Sequence, residues 1–260
     1  MRRQERNGLA WYSFESPGHS LCTALLTRQG GVSQGALTSL NLGSTVGDDP
    51  AAVAENHRRV CRTFGIARDQ IVSPHQVHGC HVAPVGHAEG GTIIPATDAL
   101  LTNEPGIALL LRFADCTPVL FYDPVHHAAA LAHAGWRGAA AGIVTETIRA
   151  LEEAFGSRPE ELWAGVGPAI GPEHYAVGGE VIAAIQATLP GEVKIIEQRA
   201  GQHYLDLPGA VAAQLQAAGV GMIEQSGLYT AGHTDEWYSH RAEKGNTGRF
   251  GVLVMLIANG

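Results

Sequence analysis

Histidine and cysteine side chains are concentrated in two stretches of the 260-residue sequence. The first, "SPHQVHGCHV", contains His75, His78 and His81, and the second, "LLRFADCTPVLFYDPVHHAAALAHAGWRG", contains Cys116 and His133. Clusters of sulfur and imidazole donors are typical of transition-metal sites. Three protein ligands that leave one coordination position open are typical of catalytic zinc. The first chemistry indicated is therefore a metal site formed by His78, Cys116 and His133.

The same side chains also suggest a chemistry that needs no metal. Cys116 is then a nucleophile and His133 its general base, because a thiol becomes reactive when a nearby imidazole lowers its pKa. Asp115 is the candidate to orient that histidine. Histidines also collect in surface loops by chance, and the turn signal "DP" before His126 and His127 predicts that these two are exposed. Spacing alone leaves the choice between metal and nucleophile open.

Arginine and asparagine residues suggest an anion and substrate pocket. Arg28 follows a predicted strand and precedes two glycines, whose backbone amides could form an anion-binding nest. Arg241 and Arg249 flank a turn rich in glycine and asparagine, where guanidinium groups could bind phosphate. Asn41, in "SLNLG", is a candidate to bind a nucleoside, with a turn-forming role as the alternative.

Short apolar runs must position these residues. Cys116 falls in a turn between two predicted strands and His133 ends a third, so the two side chains meet at one end of a sheet if the strands are neighbours. Those three strands are "IALLLR", "PVLFYD" and "AAALAH", between residues 107 and 133. Further strands are predicted in "LCTALLTRQGG", "LWAGVG" and "FGVLVMLIA".

Helical patterns occupy the segments between these groups of strands. In "GDDPAAVAENHRRVCRTFG", Asp49 is the predicted N-cap and Gly65 ends the helix. Other helices are predicted from about 138 to 155, in "GGEVIAAIQATL" and in "LPGAVAAQLQAAG". Strands come in groups and do not alternate strictly with helices, which favours an α+β fold of mixed β-sheets packed together and flanked by helices. Residues 1–260 are predicted to form a single domain, with 1–20 as an extension that could add an edge strand.

Charge and hydropathy restrict the possible partners. The formal net charge of −8 argues against nucleic-acid binding through phosphate contacts. No apolar run approaches the roughly 20 residues of a membrane helix, and no apolar segment typical of a secretion signal follows the basic N terminus. We expect a cytoplasmic protein that uses small-molecule substrates and binds neither nucleic acid nor membrane. The oligomeric state cannot be predicted from this sequence.

Six motifs, in a fixed order, resemble those of a known family. On these motifs the chain is similar to the YfiH family, also called the laccase-domain or polyphenol-oxidase-like family, from about residue 21 to the C terminus. The resemblance implies the same α+β arrangement of mixed sheets and helices. The motifs are "LTRQGGVSQGALTSLNLG", "HQVHG", "ADCTPVLFYDP", "AHAGWRG", "GPAIGPEHYAVG" and "YSHRAEKGNTGRFGVLV".

The resemblance also implies roles for particular residues. The metal ligands of the family are the histidine of Q-V-H-G, the cysteine of A-D-C and the histidine of A-H-A-G-W-R-G, which fall on His78, Cys116 and His133. Zinc is the implied metal, with copper as the alternative. Many members carry Cys-Thr-Tyr before the last motif, whereas positions 228–230 here read Leu-Tyr-Thr. A catalytic role of that family cysteine therefore cannot apply to this chain.

Family members are described as purine nucleoside enzymes with adenosine phosphorylase, methylthioadenosine phosphorylase and adenosine deaminase activities. Others are described as copper polyphenol oxidases, and some bacterial members are linked to peptidoglycan editing. A multicopper oxidase needs further histidines in His-x-His pairs, and this sequence contains none.

We therefore predict a zinc-dependent enzyme for adenosine, inosine or methylthioadenosine phosphorolysis and adenosine deamination. The alternatives are a metal-free Cys-His hydrolase acting on an amide or a peptidoglycan precursor, and a zinc-stabilised scaffold without activity. The predicted catalytic residues are His78, Asp115, Cys116 and His133, and the predicted residues for substrate and phosphate are Arg28, Asn41 and Arg241.

Overall fold

The computed structural model describes residues 1–15, 18–191 and 193–258, and these residues form a mixed α+β fold. The helices are α1 (Pro50–Phe64), α2 (Trp136–Ala140), α3 (Ile143–Phe155), α4 (Gly179–Gln186) and α5 (Leu207–Ala217). The strands are β1 (Arg2–Arg6), β2 (Leu9–Ser13), β3 (Leu21–Leu26), β4 (Ile71–Pro74), β5 (Val82–Pro84), β6 (Ile93–Ile94), β7 (Ala99–Thr102), β8 (Ala108–Phe113), β9 (Thr117–Asp123), β10 (Ala128–Ala134), β11 (Trp163–Val166), β12 (Ala176–Val177), β13 (Ile196–Arg199), β14 (Gln202–Leu205), β15 (Met222–Gln225) and β16 (Phe250–Leu256).

Two large sheets contain most of these strands. The first has the order β1-β2-β3-β16-β8-β4-β6, and the second has the order β15-β11-β9-β10-β7-β5. A third, small sheet has the order β12-β14-β13. Both large sheets are mixed, since β4 pairs parallel to β8 and β5 parallel to β7, whereas β9 and β10 are antiparallel.

The two sheets pack face to face, with helices on the outside. Side chains alternate between the faces of a strand, so each central strand contributes to two cores. Leu120 and Leu131 of the second sheet join the core between the sheets, whereas the alternate residue Phe121 joins the core under α3 and α5. On the outer face of the first sheet, Val60 of α1 packs against residues such as Leu253. The order of layers is therefore helix, sheet, sheet, helix.

The predicted strands and helices are largely confirmed. Helix α1 begins after Asp49, whose side chain accepts a hydrogen bond from Ala51 N, and ends at Gly65 in the left-handed region (φ 67°). The helix predicted from about 138 to 155 is divided into α2 and α3, because Gly142 adopts φ 86° between them. The predicted extension contains a β1–β2 hairpin, and β1 is the edge strand of the first sheet. Residues 16 and 17 of that extension lie outside the described residues.

The three strands predicted around the site are divided between the two sheets. Strands β9 and β10 are antiparallel neighbours, but β8 belongs to the other sheet. The turn that contains Cys116 therefore carries the chain from the first sheet to the second. Apolar periodicity predicts a buried strand and does not specify which sheet it joins. Among the described residues, no helix has the length and apolarity needed to cross a membrane.

Candidate metal centre and active-site cavity

Three predicted ligands come together where the two sheets meet. One nitrogen each of His78 and His133 and the sulfur of Cys116 all lie within 4.8 Å of one another. Cys116 is in the turn between β8 and β9, and His133 is the penultimate residue of β10. His78 lies in the loop between β4 and β5, where its backbone is left-handed (φ 61°). His133 is buried and His78 is exposed, so the cluster opens to solvent on one side.

Asp98, directly before β7, holds both histidines of the cluster. Its Oδ1 accepts a hydrogen bond from His133 Nδ1 at 2.9 Å and from the backbone N–H of His78 at 3.0 Å. Its Oδ2 accepts from the backbone N–H groups of Val77 at 3.1 Å and Gly79 at 2.8 Å. The carboxylate is fully buried. It therefore fixes the orientation of the His133 ring and the course of the His78 loop together, as carboxylates do behind metal-binding histidines.

Asp115 is the residue that the sequence predicts to orient His133, and Asp98 carries no such prediction. The structure corrects this, because the His133 ring donates to Asp98, whereas the Asp115 carboxylate accepts from other groups. Oδ1 accepts from the Thr230 hydroxyl at 2.6 Å, and Oδ2 accepts from the backbone N–H of Arg241 at 2.7 Å. An aspartate directly before the apolar run "ALLT" is the sequence signal that could have identified Asp98. Asp115 lines the cavity and anchors the 230 and 241 segments beside it.

Cys116 and His133 strongly influence each other's ionisation. Burial raises the pKa of the Cys116 thiol, but the charge and hydrogen bond of His133, with a smaller effect from His78, outweigh it and lower the pKa to about 6. Burial lowers the pKa of His133, but Cys116 and Asp98 outweigh it and raise the pKa to about 9. The geometry therefore favours a thiolate at Cys116, which is the form that binds metals.

The residues around the cluster fit a metal ion. A Cβ atom on Gly135 would lie 2.9 Å from Cys116 Sγ and 3.2 Å from His78 Cδ2, so only glycine leaves the ligands room. The His133 nitrogen that is free of Asp98 is available for coordination. The donor set of one thiolate and two imidazoles suits zinc and is also compatible with copper. Within the described residues, this is the one group of three or more such donors close enough to share an ion.

A cavity of about 740 Å³ extends from the cluster and has the size of a small-molecule site. Of the predicted site residues, His78, Asp115, Cys116, His133 and Arg241 line it. The other lining residues are Gly43, Ser44, Thr45, His75, Gln76, Ile93, Arg112, Ala114, Gly135, Trp136, Arg137, Ile170, Tyr175, Leu207, His240 and Arg249.

Arg28 and Asn41 do not line this cavity. The Arg28 guanidinium donates to the carbonyl oxygens of Thr38 and Thr234 and pairs with Glu243 at 3.0 Å. The Arg28 guanidinium therefore links segments that are far apart in sequence, and its charge is balanced by Glu243. Asn41 is fully buried and forms the turn that was the alternative for it, with Gly43 N donating to its Oδ1 at 2.9 Å.

Like Arg249, Arg241 is a predicted anion-binding residue that the fold brings to the cavity. Its Nη1 donates to the carbonyl of Ala176 at 2.8 Å, and its guanidinium carbon lies 5.1 Å from the centre of the Tyr175 ring. Tyr175 itself is buried, and burial raises the pKa of its phenol to about 12. The two side chains form one wall of the cavity.

The other histidines of the two stretches lie outside the ligand group. The His81 ring lies 3.0 Å from the Thr97 hydroxyl and the His126 ring 2.8 Å from Asp123. The His127 ring lies 3.1 Å from the carbonyl of Ile257. His75 lines the cavity without belonging to the ligand group.

Residues 22–257 match the family described as multi-copper polyphenol oxidoreductase laccase. Purine nucleoside phosphorylase YlmD of Geobacillus stearothermophilus is 37% identical, over 97% of this chain and 96% of the relative. The crystal structure of YlmD from that organism has a TM-score of 0.93 and 34% identity, covering 98% of both chains. The crystal structure of Bacillus licheniformis YfiH has a TM-score of 0.91 and 31% identity, also over 98% of both chains.

The match covers most of the chain, and the structural agreement extends over the sheets that carry the metal cluster. Both findings agree with the resemblance seen in the six motifs. This chain belongs to the laccase-like YfiH family.

Proposed function

We propose that this protein is a zinc-dependent purine nucleoside enzyme that cleaves adenosine, inosine or methylthioadenosine with phosphate and deaminates adenosine. The observation that carries the proposal is the His78–Cys116–His133 cluster at a nucleoside-sized cavity. It is supported by the relatives named purine nucleoside phosphorylase, among them the one from Deinococcus radiodurans at 38% identity.

Zinc is favoured over copper by the number of ligand groups. A copper oxidase that reduces oxygen needs a mononuclear site and a separate cluster with many more histidines. The described residues contain one group of three donors, formed by His78, Cys116 and His133. Bound zinc would supply Lewis acidity at the floor of the cavity.

Residues of the cavity wall would bind the nucleoside. Trp136, Tyr175 and Leu207 offer apolar surface for a purine and ribose, and Arg241 offers guanidinium donors. Asp115 holds the backbone of Arg241 and so positions this wall. Arg28 and Asn41 act indirectly, because they fix the loops around the cavity through buried hydrogen bonds.

Phosphorolysis would exchange the bond from ribose to purine for a bond from ribose to phosphate. An oxygen of hydrogen phosphate bonds to ribose C1′ while the bond from C1′ to purine N9 breaks. The bonding pair leaves with the purine, which also takes the proton of the phosphate. The contribution expected of the protein is to position both substrates and stabilise developing charge.

A second candidate is the metal-free Cys-His hydrolase. Its support is the order Cys116, His133, Asp98, in which a carboxylate holds the far nitrogen of an imidazole that faces a thiol. Such an arrangement suits a nucleophile, a base and an orienting acid. This enzyme would act on an amide or a peptidoglycan precursor and would not need zinc.

The test is product identification by mass spectrometry after incubation with adenosine. With phosphate, we expect adenine and ribose 1-phosphate, and without phosphate we expect inosine from deamination. Removing and restoring zinc should abolish and restore both products. Adenine formed at the same rate without phosphate would exclude phosphorolysis, and full activity in metal-free protein would favour the hydrolase.

A further inference from the structure

Arg112 and Arg249 line the cavity and have no carboxylate partner within 4.0 Å among the described residues. Each is partly buried, and burial lowers the pKa of each guanidinium from its ordinary value. A buried charge without a counter-ion is costly and is normally paired. This pair therefore differs from Arg28, whose charge Glu243 balances.

The register of the first sheet places Arg112 and Arg249 near each other along neighbouring strands. On β8 and β16, Arg112 is opposite Gly251, and Phe250 is opposite Phe113. Arg249 directly precedes β16, two residues from Gly251, and so lies on the same face as Arg112. Diagonal neighbours of this kind are about 7–8 Å apart at Cα, within the reach of two arginine side chains.

Backbone carbonyls orient these guanidinium groups and leave donors free. Arg112 Nη2 donates to the carbonyl of Pro74, and Arg249 Nη1 donates to the carbonyls of Thr247 at 3.0 Å and Gly248 at 2.8 Å. A guanidinium has five N–H donors, so each arginine keeps several for a ligand. The negative groups whose charge reaches Arg249 are Asp115 and the Cys116 thiolate. Both Asp115 oxygens already accept hydrogen bonds from other groups.

The neighbouring loop is shaped around Arg249. A Cβ atom on Gly43 would lie 2.8 Å from Arg249 Cγ, so the loop can pass this side chain only with glycine there. Asn41 Oδ1 accepts from the backbone N–H of Gly43 at 2.9 Å and of Arg249 at 2.8 Å, which ties the two segments together. Ser44 and Thr45 follow in the loop and line the cavity with hydroxyl groups.

We propose that Arg112 and Arg249 form the subsite for free inorganic phosphate, with Ser44 and Thr45 as neighbouring donors. The assignment rests on the proposed function, in which phosphate is the second substrate. Two guanidinium groups that line one cavity suit a tetrahedral dianion, because each can donate two parallel N–H bonds to its oxygens. Arg241, whose backbone N–H donates to Asp115, is then left to the nucleoside.

The probe is inorganic phosphate, measured by titration calorimetry on the zinc-loaded full-length protein. We expect Arg112→Gln and Arg249→Gln each to weaken phosphate binding at least tenfold. The matched control is Arg68→Gln, which removes an exposed charge that acts on Arg112 from outside the cavity. It should change the dissociation constant by less than about twofold, since an exposed charge is screened. Unchanged binding in both cavity variants, or an equal loss in the control, would overturn the subsite.

Two further variants protect the test against misfolding. Arg112→Lys and Arg249→Lys keep the charge but lose the fork of parallel donors, so we expect a loss that is intermediate between wild type and glutamine. Full binding in both lysine variants would show that general charge suffices and would contradict a shaped subsite.

Competition distinguishes free phosphate from the phosphoryl group of a nucleotide. If Arg112 and Arg249 hold free phosphate, adenosine and phosphate bind together, and AMP competes with both. Mutual exclusion of adenosine and phosphate would overturn the assignment as a second-substrate site. Failure of the proposed function gives a different result: phosphate binding is lost in the variants, but wild-type protein releases no adenine.

Discussion

Replacing Asp98 with asparagine should weaken the metal site without removing a ligand. The Asp98 carboxylate accepts four hydrogen bonds, one from the His133 ring and three from the backbone of the 77–79 loop. An asparagine has one oxygen acceptor, and its NH₂ group must face at least one of these N–H donors. The His133 ring and the His78 loop should therefore lose their fixed orientation.

The magnitude follows from the loss of these contacts. Removing a carboxylate behind a metal-binding histidine costs about 10–100-fold in metal affinity. That range corresponds to about 1.4–2.8 kcal/mol. The buried charge-assisted hydrogen bonds also stabilise the fold, and losing them should lower the free energy of unfolding by roughly 3 kcal/mol.

Asp123→Asn is a matched control. Asp123 is also fully buried, and it accepts hydrogen bonds from the His126 ring at 2.8 Å and from the backbone N–H groups of Val125 and His126. It lies at the other end of β9 from the metal cluster. We therefore expect this variant to lose similar stability and to keep its metal affinity.

The assay is zinc competition with a chromophoric chelator at pH 7, paired with urea unfolding of both variants. The reasoning predicts weaker zinc binding in Asp98→Asn alone. Equal zinc affinity in the two folded variants would refute the role of Asp98. Loss of zinc in Asp123→Asn to the same degree would show that general destabilisation explains the effect.

Three further predictions concern other parts of the molecule. His57 is buried, and its Nδ1 has no hydrogen-bond partner. Burial, together with the charges of Arg68 and Arg112, lowers the pKa of His57 to about 4. The free energy of unfolding is therefore highest above pH 6.5 and decreases as the pH falls towards 4. Urea unfolding should show roughly 2 kcal/mol of this loss between pH 7 and pH 5, and a His57→Gln variant should lack it; an identical pH dependence in the variant would contradict the assignment. Gly135→Ala should lose zinc by elemental analysis, because its Cβ would press on Cys116, whereas Gly179→Ala, in open space, should retain it. Arg28→Ala should lower the rates of phosphorolysis and deamination equally and lower the free energy of unfolding by roughly 3 kcal/mol. A loss confined to phosphorolysis would instead indicate that Arg28 binds phosphate.

Local patterns were sufficient for the elements, and the family motifs were sufficient for the three residues of the candidate metal site. The cap at Asp49 and the glycine at 65 set the limits of α1, and uninterrupted apolar runs set β8, β9 and β10. The family motifs placed His78, Cys116 and His133, which the structure brings together. These features depend on residues close in sequence or on the resemblance itself.

Long-range contacts were beyond the sequence patterns. Arg28 looked like an anion site because two glycines follow it, but its partner Glu243 lies 215 residues away. Asp98 is 35 residues from His133, and no spacing rule connects them. The pairing of β8 with β16 is also long-range, so the proximity of Arg112 and Arg249 could be recognised only from the sheet register.

The central claim, that His78, Cys116 and His133 hold one zinc ion per chain, is tested most directly by elemental analysis. The protein is purified without added metal and compared with the Cys116→Ala, His133→Ala double variant. We predict one zinc per chain in the wild type and none in the folded double variant. Unchanged zinc content in that variant, or copper in place of zinc in the wild type, would contradict the claim.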